Sequence, residues 1–180
     1  MAIPRLFALV LVVFLVAAAT PSAAETPNRD KPRLRIVNAQ LRSVVQEGLQ
    51  HSPSFRALAE RLETTDVVVY AEATRLPARL AGQLAFVSKV GGLRYVVVQI
   101  DRELSPIRKL ATLGHELQHA LEIAERPSIV DAASMKKEFA RFGFSRERSA
   151  TYQSAFDTAA AIHAGDQVWR EISGNAANMD

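Results

Sequence analysis

The chain has 180 residues, 22 basic against 19 acidic, and no cysteine. Disulfides and thiolate metal ligands are excluded, so stability must come from packing and any metal from His, Asp or Glu. The charges are scattered along the sequence rather than blocked, which argues against nucleic acid or an anionic membrane as partner.

Met1–Arg5 is a short cationic head, Leu6–Ala19 an unbroken apolar run, and Thr20–Ala24 a small-residue exit. That order is the pattern of a secretory signal peptide over residues 1–24, cut after Ala24. The apolar run is shorter than the roughly 17–25 residues needed to cross a bilayer. The expectation is a secreted or periplasmic protein with no stable membrane insertion after cleavage. Residues 25–38 read as a loose polar leader, residues 39–174 as one folded domain, and 175–180 as a tail.

Ala39–Gln50 and Pro53–Thr64 read as two helices broken at His51-Ser52-Pro53. In the second, Phe55, Leu58, Ala59 and Leu62 recur at helical spacing. Asp66–Tyr70 is a β-branched run and reads as a strand. Gln83–Val90 and Leu93–Asp101 flank Gly91-Gly92, a hairpin signal, because the turn needs residues that take positive φ. Ser105-Pro106 opens a helix that runs to about Arg126-Pro127. Asp131–Phe142 is a further helix ended by Gly143, and Ser149–Ser173 a long final one stopped near Gly174. Two helices, three strands and then helices predict an α+β fold with a small, largely antiparallel sheet and helices on one side.

The helix over 106–126 carries His115-Glu116-Leu117-Gln118-His119. At 100° per residue Leu110, Leu113, Leu117, Ala120 and Leu121 share one side, and His115 and His119 point to the other. Ala111, Thr112 and Gly114 lie beside the imidazoles and predict open space there. Residues four apart on a helix are neighbours, so both rings can bind one tetrahedral Zn²⁺. Glu116 is turned about a quarter of a circle away. It can take a proton from a water on the metal and deliver it to a leaving amine. With 4 histidines in 180 residues, such a pattern arises by chance in roughly 0.006 of sequences, so it is taken as a site.

This stretch resembles the active-site helix of the zincin metallopeptidases. The coarse order over Asp66–Ser173, hairpin before and helices after, is similar as well. The metzincin continuation is missing: Glu122 stands where that group has a turn glycine, and no third histidine follows. The closer resemblance is to the gluzincins, which take an acidic third ligand from a later helix. It implies an exported zinc-dependent metallopeptidase acting on a peptide or protein substrate. The substrate would lie as an added strand on the edge formed by Gln83–Val90 or Leu93–Asp101. The alternative is a non-catalytic, metal-stabilised binding or structural module of the cell envelope.

Asp157 is the expected third ligand. In a helix over Ser149–Ser173 it shares a stripe with Ala150, Ser154, Ala161, Ala164, Val168 and Ile172, and is the one charge among them. Burying a lone carboxylate costs on the order of several kcal/mol unless something such as a metal compensates. The gluzincin pattern has Glu at this step and a further acid four residues on, where this chain has Ala161. Glu122 is the rival, placed to ligate the metal, to orient a ligand histidine, or to meet Arg126. Glu138, His163 and His51 are expected on solvated surfaces. Arg148 and Tyr152 are near enough to Asp157 in sequence to be considered as transition-state donors, without a spacing argument for either.

Overall fold

A computed structural model describes residues 31–78, 80–146 and 155–177. The expected signal segment, most of the leader, Arg148 and Tyr152 lie outside the described residues.

The elements follow in the order β1 (Leu34–Ile36), α1 (Ala39–His51), α2 (Pro53–Glu63), β2 (Val67–Thr74), β3 (Gly82–Val90), β4 (Leu93–Asp101), α3 (Pro106–Ala124), α4 (Ala132–Phe142), β5 (Phe144–Arg146), β6 (Ala155–Asp157) and α5 (Ala159–Ala177). Local chemistry sets most of these boundaries. The Asn38 side chain accepts from Leu41 N–H to start α1, and Ser52 accepts from Phe55 N–H to start α2. Asp131 and Ser134 form a reciprocal capping box at the start of α4. Gly91 and Gly92 take φ of 57° and 80°, the positive values that a two-residue hairpin between β3 and β4 requires.

The fold is α+β, as the element order implies, but the sheet is not largely antiparallel. Its strand order is β1-β2-β4-β3, with β1/β2 and β2/β4 parallel and only the β3/β4 hairpin antiparallel. β1, unassigned in the sequence reading, pairs Leu34 with Val69 and turns the end of the leader into a strand. A parallel neighbour is reached through a crossover, here α1 and α2, and leaves no local signature at the strand itself.

One face of the sheet is apolar. Val67, Val69 and Ala71 lie in register with the alternate β4 residues Arg94, Val96 and Val98. Except for Arg94, these belong to the main core cluster together with Leu41, Phe55, Leu58, Leu62, Leu110, Leu113 and Leu117 of α1, α2 and α3. The opposite face buries Val68 and Leu93 at one end and is half-buried beyond them, where Tyr70 stacks on Tyr95 and Gln99 bridges Glu72 and Gln83. A register shift between Phe86 and Ser88 bulges the edge strand and leaves Val87 exposed.

The final helix differs from expectation at both ends. It begins at Ala159, after the short antiparallel pair β5/β6. Thr158 Oγ1 accepts Ala161 N–H and so caps its first turn. At the other end Gly174 lies inside α5, which continues to Ala177. A mid-helix glycine costs only about 1 kcal/mol relative to alanine, which neighbouring turns absorb.

Candidate metal centre

α3 carries three of the four expected site residues. Leu110, Leu113, Leu117 and Ala120 anchor it in the core. Helical geometry then aims His115 and His119 away from that stripe. Asp157 comes from the end of β6, two residues before α5 begins. It is therefore not on the helical stripe assigned to it from the sequence, because the cap at Thr158 interrupts that stripe. It still reaches the two histidines.

The three side chains converge. His115 Nε2 lies 3.4 Å and His119 Nε2 3.8 Å from the same Asp157 oxygen, Oδ1. The imidazole centroids are 4.8 Å apart with their planes nearly perpendicular. One donor atom from each residue lies within 4.8 Å of the others, so the cluster could hold a metal ion. Ligands on a tetrahedral zinc with bonds of 2.0–2.1 Å stand about 3.3 Å from one another. The 3.4 and 3.8 Å separations are close to that spacing and long for direct hydrogen bonds. His119 and Asp157 are buried, and His115 is half-buried.

Glu122 is not a further member of this cluster. Its Oε2 lies 2.8 Å from His119 Nδ1, and its Oε1 accepts the Thr158 hydroxyl at 2.6 Å. Burial pushes the Glu122 pKa up, but hydrogen bonds from His119 and Thr158 and the charges of His119 and Arg126 outweigh it and hold the pKa below the ordinary value. An ionised carboxylate only accepts, so Nδ1 of His119 carries the proton donated to Glu122, and Nε2 is the ring nitrogen that faces Asp157. Burial opposes charge on His119 as well. There the Glu122 hydrogen bond and the negative charges of Glu116, Glu122 and Asp157 prevail and raise its pKa. The Phe139 ring packs edge-on at 5.4 Å and limits the tilt of the imidazole.

Glu116 is buried beneath the start of the edge strand. A methyl group built on Gly82 would come within 3.1 Å of Glu116 Oε1 and 2.5 Å of Thr112 Cγ2. The glycine thus lets β3 approach the carboxylate closely. The space predicted above Ala111 and Gly114 is filled instead of open. A Cβ on Gly165 of α5 would sit 3.1 Å from Ala111 O and His115 Cβ, and Val168 occupies the notch at Gly114. Small residues there serve the close approach of two helices.

Of the other candidates, His51 and His163 are exposed. Glu138 is half-buried and pairs with Arg141 at 3.5 Å. Sequence reasoning missed Thr158. The available signal was its position: a hydroxyl directly after the acid and three residues before the N–H it caps. No protein-family model matches the chain, and neither a curated protein nor a solved structure shows significant similarity to it.

Proposed function

We propose that the protein is a zinc-dependent hydrolase of the peptidase type, with His115, His119 and Asp157 as metal ligands and Glu116 as general base. The observation that carries the reading is the convergence of both Nε2 atoms on one Asp157 oxygen at near-tetrahedral spacing, with Glu116 on the same helix. The donor set of two imidazoles and a carboxylate suits zinc, and three protein ligands are the number that leaves a fourth position for substrate or water.

Bound there, the metal would supply Lewis acidity, polarising a carbonyl and acidifying a water. The residues of the chain do the rest. Glu122 holds His119 in the Nδ1–H tautomer. Asp157 brings the negative charge that a divalent ion needs in a buried site. Glu116 takes the proton of the attacking water and passes it to the departing amine, which requires it to lie near the metal without being a ligand. Its charge is close enough to act on His119. Among the described residues β3 is an edge strand that begins at Gly82, over Glu116, and its position supports binding of an extended chain as an added strand across the site.

The test is metal content and hydrolysis in one set of proteins. The purified protein should hold about one zinc per chain. Asp157→Ala should lose it or bind it far more weakly. Glu116→Gln should keep the metal while cleavage of a denatured protein substrate falls by at least about a hundredfold. A native protein that takes up no zinc when supplied would remove the proposal. Zinc retained with full activity in Glu116→Gln would remove Glu116 from its role.

A further inference from the structure

We infer that Thr158 is a positioning residue for the metal centre, joining the carboxylate that orients His119 to the carboxylate that serves as ligand. The inference rests on the metal-site reading above. Thr158 is 5% exposed, and its N–H and hydroxyl make three hydrogen bonds within the site or at the helix beside it. Its N–H donates to Asp157 Oδ1 at 2.9 Å, the same oxygen that faces both imidazoles. Its Oγ1–H donates to Glu122 Oε1 at 2.6 Å, and Oγ1 accepts from Ala161 N–H at 3.0 Å.

A hydroxyl has one proton, and here its direction is settled. Because Ala161 N–H occupies an acceptor lobe, the proton goes to Glu122. That engages Oε1 of Glu122 and leaves Oε2 for His119 Nδ1. The rotation of one hydroxyl thereby fixes the carboxylate, the carboxylate fixes the imidazole tautomer, and the same residue's backbone fixes Asp157. Ligands from α3 and from the entrance to α5 are tied through a single residue, by its hydroxyl on one side and its backbone N–H on the other.

The experiment compares zinc affinity, by chelator competition, and the visible spectrum of the cobalt(II)-substituted protein for native, Thr158→Val, Thr158→Ser, Glu122→Gln and the Thr158→Val/Glu122→Gln pair. Valine keeps the shape and removes the hydroxyl. It should weaken zinc binding about 10- to 100-fold and alter the cobalt bands, while serine stays near native. In the Glu122→Gln background the valine substitution should add little, because both act through one hydrogen bond. A cap without a metal role would lower the melting temperature of the metal-free protein and leave affinity and spectrum unchanged, and that outcome overturns the inference. Additive losses in the double variant would overturn it too. If Thr158→Val does not fold, Thr158→Ala is read by the same criteria. A native protein that binds neither zinc nor cobalt overturns the metal reading itself, whereas native binding with native-like variants overturns the Thr158 role alone.

Discussion

Arg94 turns its whole guanidinium inward, and it shows how far a single residue can be from its sequence appearance. In the sequence it is a polar position at the start of a hairpin strand. In the structure it is 2% exposed, pairs with both oxygens of Asp66, and donates to the carbonyls of Ile123, Ala124, Arg126 and Ile129. Ile123 and Ala124 lie in the last turn of α3, where carbonyls lack N–H partners within the helix, and Arg126 and Ile129 lie in the turn that follows, so Arg94 ties the end of α3 to the chain leaving it. Arg94→Lys keeps the charge but offers three donors in place of five, so the Asp66 pair and the four carbonyls cannot all keep the donor that the guanidinium gives them. The expected cost is about 2–4 kcal/mol, read as a lowered urea midpoint with unchanged slope. A loss within about 0.5 kcal/mol would show that water replaces the guanidinium there. None of this was legible, because the acceptors lie about thirty residues away. The site was more legible. His115 and His119 carry a spacing that a helix converts into one face, with Glu116 about a quarter of a turn from it. Asp157 was reached by an argument that fails in its geometry, since the periodicity was extended backwards through the cap at Thr158. What survives of that argument is its energetic half: a carboxylate among small and apolar residues near two imidazoles needs a counter-charge.

At the scale of elements, α1 to α4 and the β3/β4 hairpin follow from signals a few residues long. Asn38, Ser52, Asp131 with Ser134, and Gly91-Gly92 each act on neighbours in sequence. β1 and the parallel pairings carry no such signal, and the sheet was misjudged for that reason. The packing of β3 on α3 gives a test of how tightly these elements define the site. Gly82→Ala would place a methyl group 2.5 Å from Thr112 Cγ2 and 3.1 Å from Glu116 Oε1. Overpacking of this kind costs about 1–3 kcal/mol. Thr112→Ser removes the contacting methyl, so the double variant should recover most of the loss in thermal melts. Equal melting temperatures for Gly82→Ala with and without Thr112→Ser would mean that the strain is relieved elsewhere, by movement of the strand. Under the proposed hydrolase reading, the same displacement should reach Glu116 and lower turnover more than metal content.

Across the whole molecule, α5 is held at two distant places, one near each end. Its N-terminal end is tied to α3 through Asp157, Thr158 and Glu122. Toward its other end, Glu171 reaches the start of α2: its carboxylate accepts from Ser52 Oγ at 2.5 Å, from Ser54 N–H at 3.0 Å and from Ser54 Oγ at 2.6 Å. A carboxylate at a helix N-terminus satisfies free N–H groups and meets the positive end of the helix dipole. Here the capping group comes from a helix more than a hundred residues later in the chain, so it closes the fold around α3. Glu171→Ala should therefore cost about 1 kcal/mol, as loss of a cap does. The pH dependence has a definite sign. Burial raises the Glu171 pKa, but the bonds from Ser52, Ser54 and Gln167 outweigh it and hold the pKa below the ordinary value. Below about pH 4.5 the unfolded chain takes up this proton before the folded chain does. The stabilisation is thus complete above that pH and is lost as pH falls through the lower folded-state value. Native protein should lose stability more steeply than Glu171→Gln as pH falls below about 4.5, measured as urea midpoints at each pH. Parallel curves would mean that the carboxylate contributes equally in the folded and unfolded chains. Closure of α5 onto α2 would then rest on its apolar face, through Val168 and Ile172 in the core, and not on the charge at Glu171.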